Sequence, residues 1–254
     1  MSRPVRLDLC TWPEVEDYLT TSPGIILPVG STEQHGPMGL IGTDALCASV
    51  IAEAAASRAG ALVAPTLAIT PAPFNTSFPG TISISDTLFT ALFREVTDGL
   101  FAQGFWRIYV LNAHGANLEP MRRIADARTG IRIRSWWDFD AVNMLRSTYY
   151  GEWEGMHATP SEVAITQARH RTIAPGRAAD PPGRLTPEFI AAHAGDRHGP
   201  PEQHRAEFPD GRVGSHSALA RPEHGEALLD AAADSVAADY TEFVGGHARQ
   251  ARHD

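Results

Sequence analysis

Glu33 and His35 stand two residues apart just after the apolar run Ile25–Val29, and Asp44 follows nine residues later. His114 closes a second apolar run, Ile108–Asn112. Carboxylate and imidazole together suit Zn²⁺ or Mn²⁺, whereas Mg²⁺ and Ca²⁺ prefer oxygen alone. The pattern points to a hydrolase with a metal site.

Each residue also has an ordinary explanation. An E-x-H spacing alone carries little, although residues i and i+2 of an extended segment point the same way and reach one ion. Asp44, with Thr43, precedes a helical pattern, and either could be its N-cap. The two roles are compatible, because a carboxylate has several lone pairs and an Asp can bridge two cations about 3.5 Å apart. His114 sits in Asn112-Ala113-His114-Gly115-Ala116-Asn117, where small neighbours leave room beside the ring.

Further along, His157 and Glu162 share the stretch Gly155-Met156-His157-Ala158-Thr159-Pro160-Ser161-Glu162. Thr159 to Glu162 reads as a capping box with Pro at the first helical position, so Glu162 is either a helix cap or a ligand. Trp136, Trp137 and Trp153 cluster around this stretch and are candidates for the walls of a substrate pocket, although most tryptophans fill cores. His193, His198 and His204 have no ligand-like spacing and read as solvated.

The elements that must position these residues alternate. Strands are expected at Gly24–Val29, Leu62–Ile69, Arg107–Asn112 and Ile131–Trp136. Helices are expected at Trp12–Leu19, Ala45–Arg58, Thr87–Gln103 and Asn117–Arg128, with an amphipathic one at Glu223–Val244. The alternation predicts an α/β fold, a mostly parallel sheet with helices on both faces. In such sheets ligands bind at the carboxyl ends of the strands, where Glu33, His35 and His114 fall. The segment at about 171–212 is rich in Pro, Gly, His and charge, and reads as a lid or oligomer contact.

The chain of 254 residues is 43% hydrophobic and shows no linker, which favours one domain over the whole of residues 1–254. A net charge of −9 argues against nucleic acid or an anionic membrane as partner. Two cysteines without paired spacing, no leader-like apolar segment at the start and no apolar run near the ~18 residues of a membrane span point to a cytoplasmic protein.

Leu27-Pro28-Val29-Gly30-Ser31-Thr32-Glu33-Gln34-His35-Gly36-Pro37, followed by Gly42-Thr43-Asp44, resembles the first signature of the creatininase (creatinine amidohydrolase) family. Asn112 to Asn117 is similar to its N-G-H-G-x-N motif, Phe78-Pro79-Gly80-Thr81 to its F-P-G-T segment, and His157-Ala158 with Glu162 to its H-A-x-x-x-E-T stretch. The resemblance runs from about Leu27 to the final helix. It implies a three-layer α/β sandwich, two divalent cations per chain (Zn, Mn or both), a small-molecule substrate and a homo-oligomer, commonly a hexamer. Residue by residue it implies Glu33, His35, Asp44 and His114 as metal ligands, Asp44 as the bridge, His157 as the catalytic histidine and Trp153 as a substrate cover.

Two departures matter. Creatininase proper carries a Glu where this chain has Ala116, so a second cation needs another carboxylate, and Glu162 is the candidate. The segment Pro73-Phe74-Asn75-Thr76-Ser77 lacks the Ser and His usual there, which points away from creatinine itself. The expected function is a dinuclear amidohydrolase acting on a small cyclic amide, formamide or peptide-like C–N bond. The alternative is a non-catalytic metal-binding or assembly protein that keeps the fold.

Overall fold

The apolar runs read as strands form one parallel sheet because both of their faces are covered. The computed structural model describes residues 5–250; residues 1–4, where the stretch read as leader-free begins, and 251–254 lie outside the description. Its strands are β1 (Gly24–Val29), β2 (Leu62–Val63), β3 (Arg107–Asn112) and β4 (Ile131–Ser135), in spatial order β2-β1-β3-β4. All three pairings are parallel, with Ile25 opposite Ile108 and Val29 opposite Asn112.

Nine α-helices lie among the described residues. They are α1 (Trp12–Leu19), α2 (Thr43–Ala59), α3 (Asp86–Ala102), α4 (Leu118–Ala125), α5 (Asp140–Tyr150), α6 (Pro160–Arg169), α7 (Pro187–His193), α8 (Pro201–Glu207) and α9 (Pro222–Gln250). Alternating side chains sort the core into two layers. Ile25, Leu27, Ile108 and Val110 pack with α1, α3 and α4, through Tyr18, Phe89, Phe93 and Met121. Ile26, Tyr109 and Leu111 pack on the other face with α2, α5, α6 and α9. This period of two, buried on both sides, is what a three-layer sandwich requires.

Where the structure departs from the expected elements, backbone chemistry explains it. β2 ends at Val63 rather than Ile69. Pro65 has no N–H to continue a ladder, and the chain returns only as an isolated bridge from Leu67 to Val29. α2 begins at Thr43 with Gly42 as its cap residue, so neither Thr43 nor Asp44 is the N-cap; Asp44 lies inside the first turn. Within 171–212 the structure forms two short helices, α7 and α8, each starting at a Pro. α5 had no expectation at all, since its buried positions are only Val142 and Tyr150.

One close approach shapes the region beyond the strand ends. A side chain at Gly30 would strike the Ala45 backbone at 2.3 Å, so glycine there lets the start of α2 press against β1 and brings Asp44 to Glu33. No helix among the described residues is long and apolar enough to cross a membrane.

Candidate metal centre

Glu33 and His35 leave the end of β1, His114 the end of β3, and Asp44 the start of α2. His157 and Glu162 come from the entry to α6, where Ala158 holds a left-handed φ of 58°. That conformation costs a non-glycine residue about 1–2 kcal/mol. Here it separates His157 from the capping box. All six side chains are buried.

They converge in overlapping groups of three. Glu33, Asp44 and His114 form one, His35, Asp44 and Glu162 a second, and Glu33, His35 and His157 a third. In the first, His114 Nδ1 lies 3.0 Å from Glu33 Oε1 and 3.1 Å from Asp44 Oδ2. In the second, His35 Nε2 lies 2.8 Å from Asp44 Oδ1 and 3.9 Å from a Glu162 oxygen. Ligand atoms around a tetrahedral zinc, each about 2.1 Å from the ion, are about 3.4 Å apart. The measured separations bracket that value.

The surrounding hydrogen bonds aim the ligands. His35 Nδ1 meets the Glu33 carbonyl at 3.1 Å and His114 Nε2 meets the Pro71 carbonyl at 2.8 Å. A carbonyl only accepts, so those nitrogens carry the hydrogen, and His35 Nε2 and His114 Nδ1 keep lone pairs for a cation. Asn75 Nδ2 donates to Glu33 Oε2 at 2.6 Å, leaving Oε1 toward His114. Asn112 and Asn117 tie the His114 loop to itself and to the Gly30 carbonyl. Glu33 Oε1 and Asp44 Oδ2 are buried and accept no well-aligned hydrogen bond despite the nearby imidazole. Orphaned carboxylate oxygens converging with imidazole nitrogens fit a divalent cation better than a proton.

Electrostatics agree. Burial disfavours charge on His35, yet Asp44, Glu162 and Glu33 outweigh it and push the imidazole up to about 10. His114 is likewise held well above its usual range, burial being overcome by Glu33 and Asp44. Burial opposes ionisation of Glu33 and Asp44 too, but their histidine neighbours hold both carboxyls below the ordinary range. Cations entering this site must displace the imidazole protons. Loading at pH 7 is therefore expected to release about two protons per chain, and affinity should fall as pH is lowered. An indicator dye in weakly buffered solution measures the release; none would mean that His35 and His114 are not ligands.

Glu162 makes the helix cap that its sequence offered and is placed where a ligand would be. Its Oε1 accepts the Thr159 N–H at 2.5 Å, completing the capping box, and its carboxylate also faces His35 and Asp44. Burial pushes it up to about 7. Gln at this position keeps the cap, worth about 1 kcal/mol or less, and removes the charge. Glu162→Gln is expected to melt near the parent temperature but to bind about one cation fewer per chain. Full metal content with a slightly lower melting temperature would make Glu162 a cap alone.

A cavity of about 180 Å³ opens over this cluster, lined by Trp136, Trp137, Arg146, His157 and Asp196 among others. Trp153 is not in its lining; it packs on His216 and under Arg184. A larger cavity of about 750 Å³ lies in the 171–212 region around Leu185, Phe189 and Phe208, and contains none of the ligating side chains. Chemistry, not size, locates the site. His204 is buried rather than solvated: its ring packs between Phe74, His198 and Phe208. Asp196 had no signal beyond Gly195 before it. It takes a left-handed φ of 57°, accepts the Ala116 N–H at 3.0 Å and lies 3.7 Å from His114 Nδ1. A side chain on Gly115 would strike it at 2.4 Å. Burial pushes its carboxyl up to about 6.

Residues 8–240 match the family described as creatininase, creatinine amidohydrolase. A 3-dehydro-scyllo-inosose hydrolase of Thermotoga maritima is 33% identical over 45% of this chain and 38% of its own length. A mycofactocin precursor peptide peptidase of Mycobacterium ulcerans is 35% identical over 41% of this chain and 44% of its own. The chain thus spans less than half the length of these two relatives. Creatinine amidohydrolase of Pseudomonas putida is 26% identical over 66% of this chain and 73% of its own. A solved manganese creatininase superposes with a TM-score of 0.75 at 23% identity, covering 95% of this chain and 99% of that one, and a zinc–zinc creatininase variant superposes at 0.74. The chain belongs to the creatininase family.

Proposed function

We propose that this member of the creatininase family is a dinuclear metal-dependent amidohydrolase that cleaves the C–N bond of a small cyclic amide, formamide or peptide-like substrate. One observation carries the reading: the two carboxylate oxygens of Asp44 face different imidazoles, Oδ1 toward His35 and Oδ2 toward His114. That is the disposition of a carboxylate shared between two cations. Glu33 completes one side and Glu162 the other. Divalent cations held by these residues would supply Lewis-acid charge at the scissile carbonyl and would acidify water to a pKa of about 7.

His157 moves the protons. Its Nε2 lies 2.7 Å from the Gln34 carbonyl oxygen, so that nitrogen carries the hydrogen and Nδ1 offers a lone pair on the Glu33 side. Burial, then the neighbouring His35, pushes the imidazole down to about 4, which keeps it neutral and able to accept. It takes the proton of the attacking water and returns it to the leaving nitrogen. No serine or cysteine nucleophile is needed; Cys47 is buried and its thiol is pushed far up by that burial.

The relatives named for an inosose and for a peptide show that substrates vary among homologues. The choice between Zn²⁺ and Mn²⁺, a cytoplasmic setting and assembly as a homo-oligomer belong to the same reading. Metal analysis with turnover on a panel of lactams, formamides and short peptides tests it. Two cations per chain with hydrolysis is the expected result. One cation or none, with no turnover, would favour the non-catalytic metal-binding protein that Ala116 suggests.

A further inference from the structure

The cavity over the cation ligands contains one arginine and no lysine in its lining. Arg146, on α5, is held from behind. Its Nε donates to Glu154 Oε1 at 2.9 Å and its Nη1 to Asn143 Oδ1 at 2.8 Å. Glu154 in turn receives the Ser161 hydroxyl, and the guanidinium carbon lies 5.6 Å from the centroid of the Trp136 ring. A guanidinium carries five N–H donors. Among the described residues only those two are spoken for, and its Nη2 end has no protein partner. Trp136 adds a second idle donor. Its indole is 1% exposed, yet Nε1–H meets no acceptor, whereas buried tryptophan N–H groups ordinarily find one.

An arginine clamped by a half-buried carboxylate and laid against an indole is a fixed, planar donor, the geometry that pairs with a carboxylate through two parallel hydrogen bonds. Arg146 is the one guanidinium in the lining and, apart from cations held by the acidic cluster, the group there suited to receive an anion. The cavity, at about 180 Å³, is sized for a small group beside the reacting bond. We propose that the substrate carries a carboxylate next to the scissile C–N bond, bound by Arg146 with the Trp136 N–H: an N-acyl amino acid or the C-terminal residue of a peptide, and not a neutral lactam. This rests on the amidohydrolase reading and narrows its substrate class.

The alternative is that Arg146 serves only as the structural partner of Glu154. Acetylglycine and acetylglycinamide separate the two, because they differ only in the carboxylate. Calorimetry on the metal-loaded protein is expected to show acetylglycine binding at least about tenfold tighter, roughly the 1.4 kcal/mol of one charge-assisted contact. Arg146→Met, which keeps the stem against Trp136, should abolish the preference with metal content unchanged, and Arg146→Lys should keep part of it. Should Arg146→Met not fold, the Arg146→Met/Glu154→Gln double variant, which leaves no unpaired buried charge, takes its place. A preference that survives loss of the guanidinium would place the carboxylate on the cations alone and overturn the proposal. So would equal binding, or no binding, of both ligands to the parent protein. Failure of the amidohydrolase reading would appear separately, as a chain that takes up fewer than two cations or hydrolyses nothing in the panel.

Discussion

Asp44→Ala is expected to bind no divalent cation and to show no hydrolysis above background, while remaining folded. Asp44 alone among the acids of the cluster belongs to both principal groups, so its loss leaves Glu33 with His114 on one side and His35 with Glu162 on the other. Two protein donors fall short of the three that catalytic zinc sites usually have. The fold should survive because Asp44 is not the cap of α2, and a carboxylate in a first helical turn contributes only about 0.3–1 kcal/mol through the helix dipole. Elemental analysis after gel filtration, beside a circular dichroism melt, reads both outcomes. Retention of two cations in a folded variant would rule out the bridging role.

His157→Ala is expected to do the opposite: keep both cations and lose about 10²–10⁴-fold in kcat, the usual contribution of a positioned proton-transfer group. The geometry that supports this is the anchoring of Nε2 on the Gln34 carbonyl, with Nδ1 3.9 Å from Glu33 Oε1. His157 also falls in a group with Glu33 and His35, so the structure offers it a second role as a ligand. Metal content decides between them. A variant that loses one cation along with turnover would make His157 a ligand, and the proton would need another carrier; Asp196, beside His114 and pushed up to about 6 by burial, is a group of suitable acidity.

Several parts of this protein were written locally and could be read from the chain. β1 and β3 match their apolar runs to the residue, because strands covered on both faces must be continuously apolar and the flanking Pro, Gly and Asn end them. The cluster of Glu33, His35, Asp44 and His114 was legible because its members sit shortly after those strands or at the next helix start. The capping box at Thr159 was legible for the same reason: its hydrogen bonds span three residues.

What the chain did not reveal depends on contacts between distant segments. Whether Glu162 caps or ligates was open in sequence, and only the packing of α6 beside α2 turns the capping carboxylate toward His35 and Asp44. The burial of His204 and the arrival of Asp196 at His114, 82 positions away, come from how residues 171–212 fold over the sheet ends, and no local periodicity encodes that. Trp153 stands among three tryptophans close in sequence, yet only Trp136 and Trp137 reach the cavity, since it is the chain path after β4 that faces it. Local patterns determined the strands and the carboxylate and imidazole types placed at their ends, because these need only neighbours to form. Tertiary packing decided which carboxylates meet which imidazoles and which donors, Arg146 among them, are left facing the cavity.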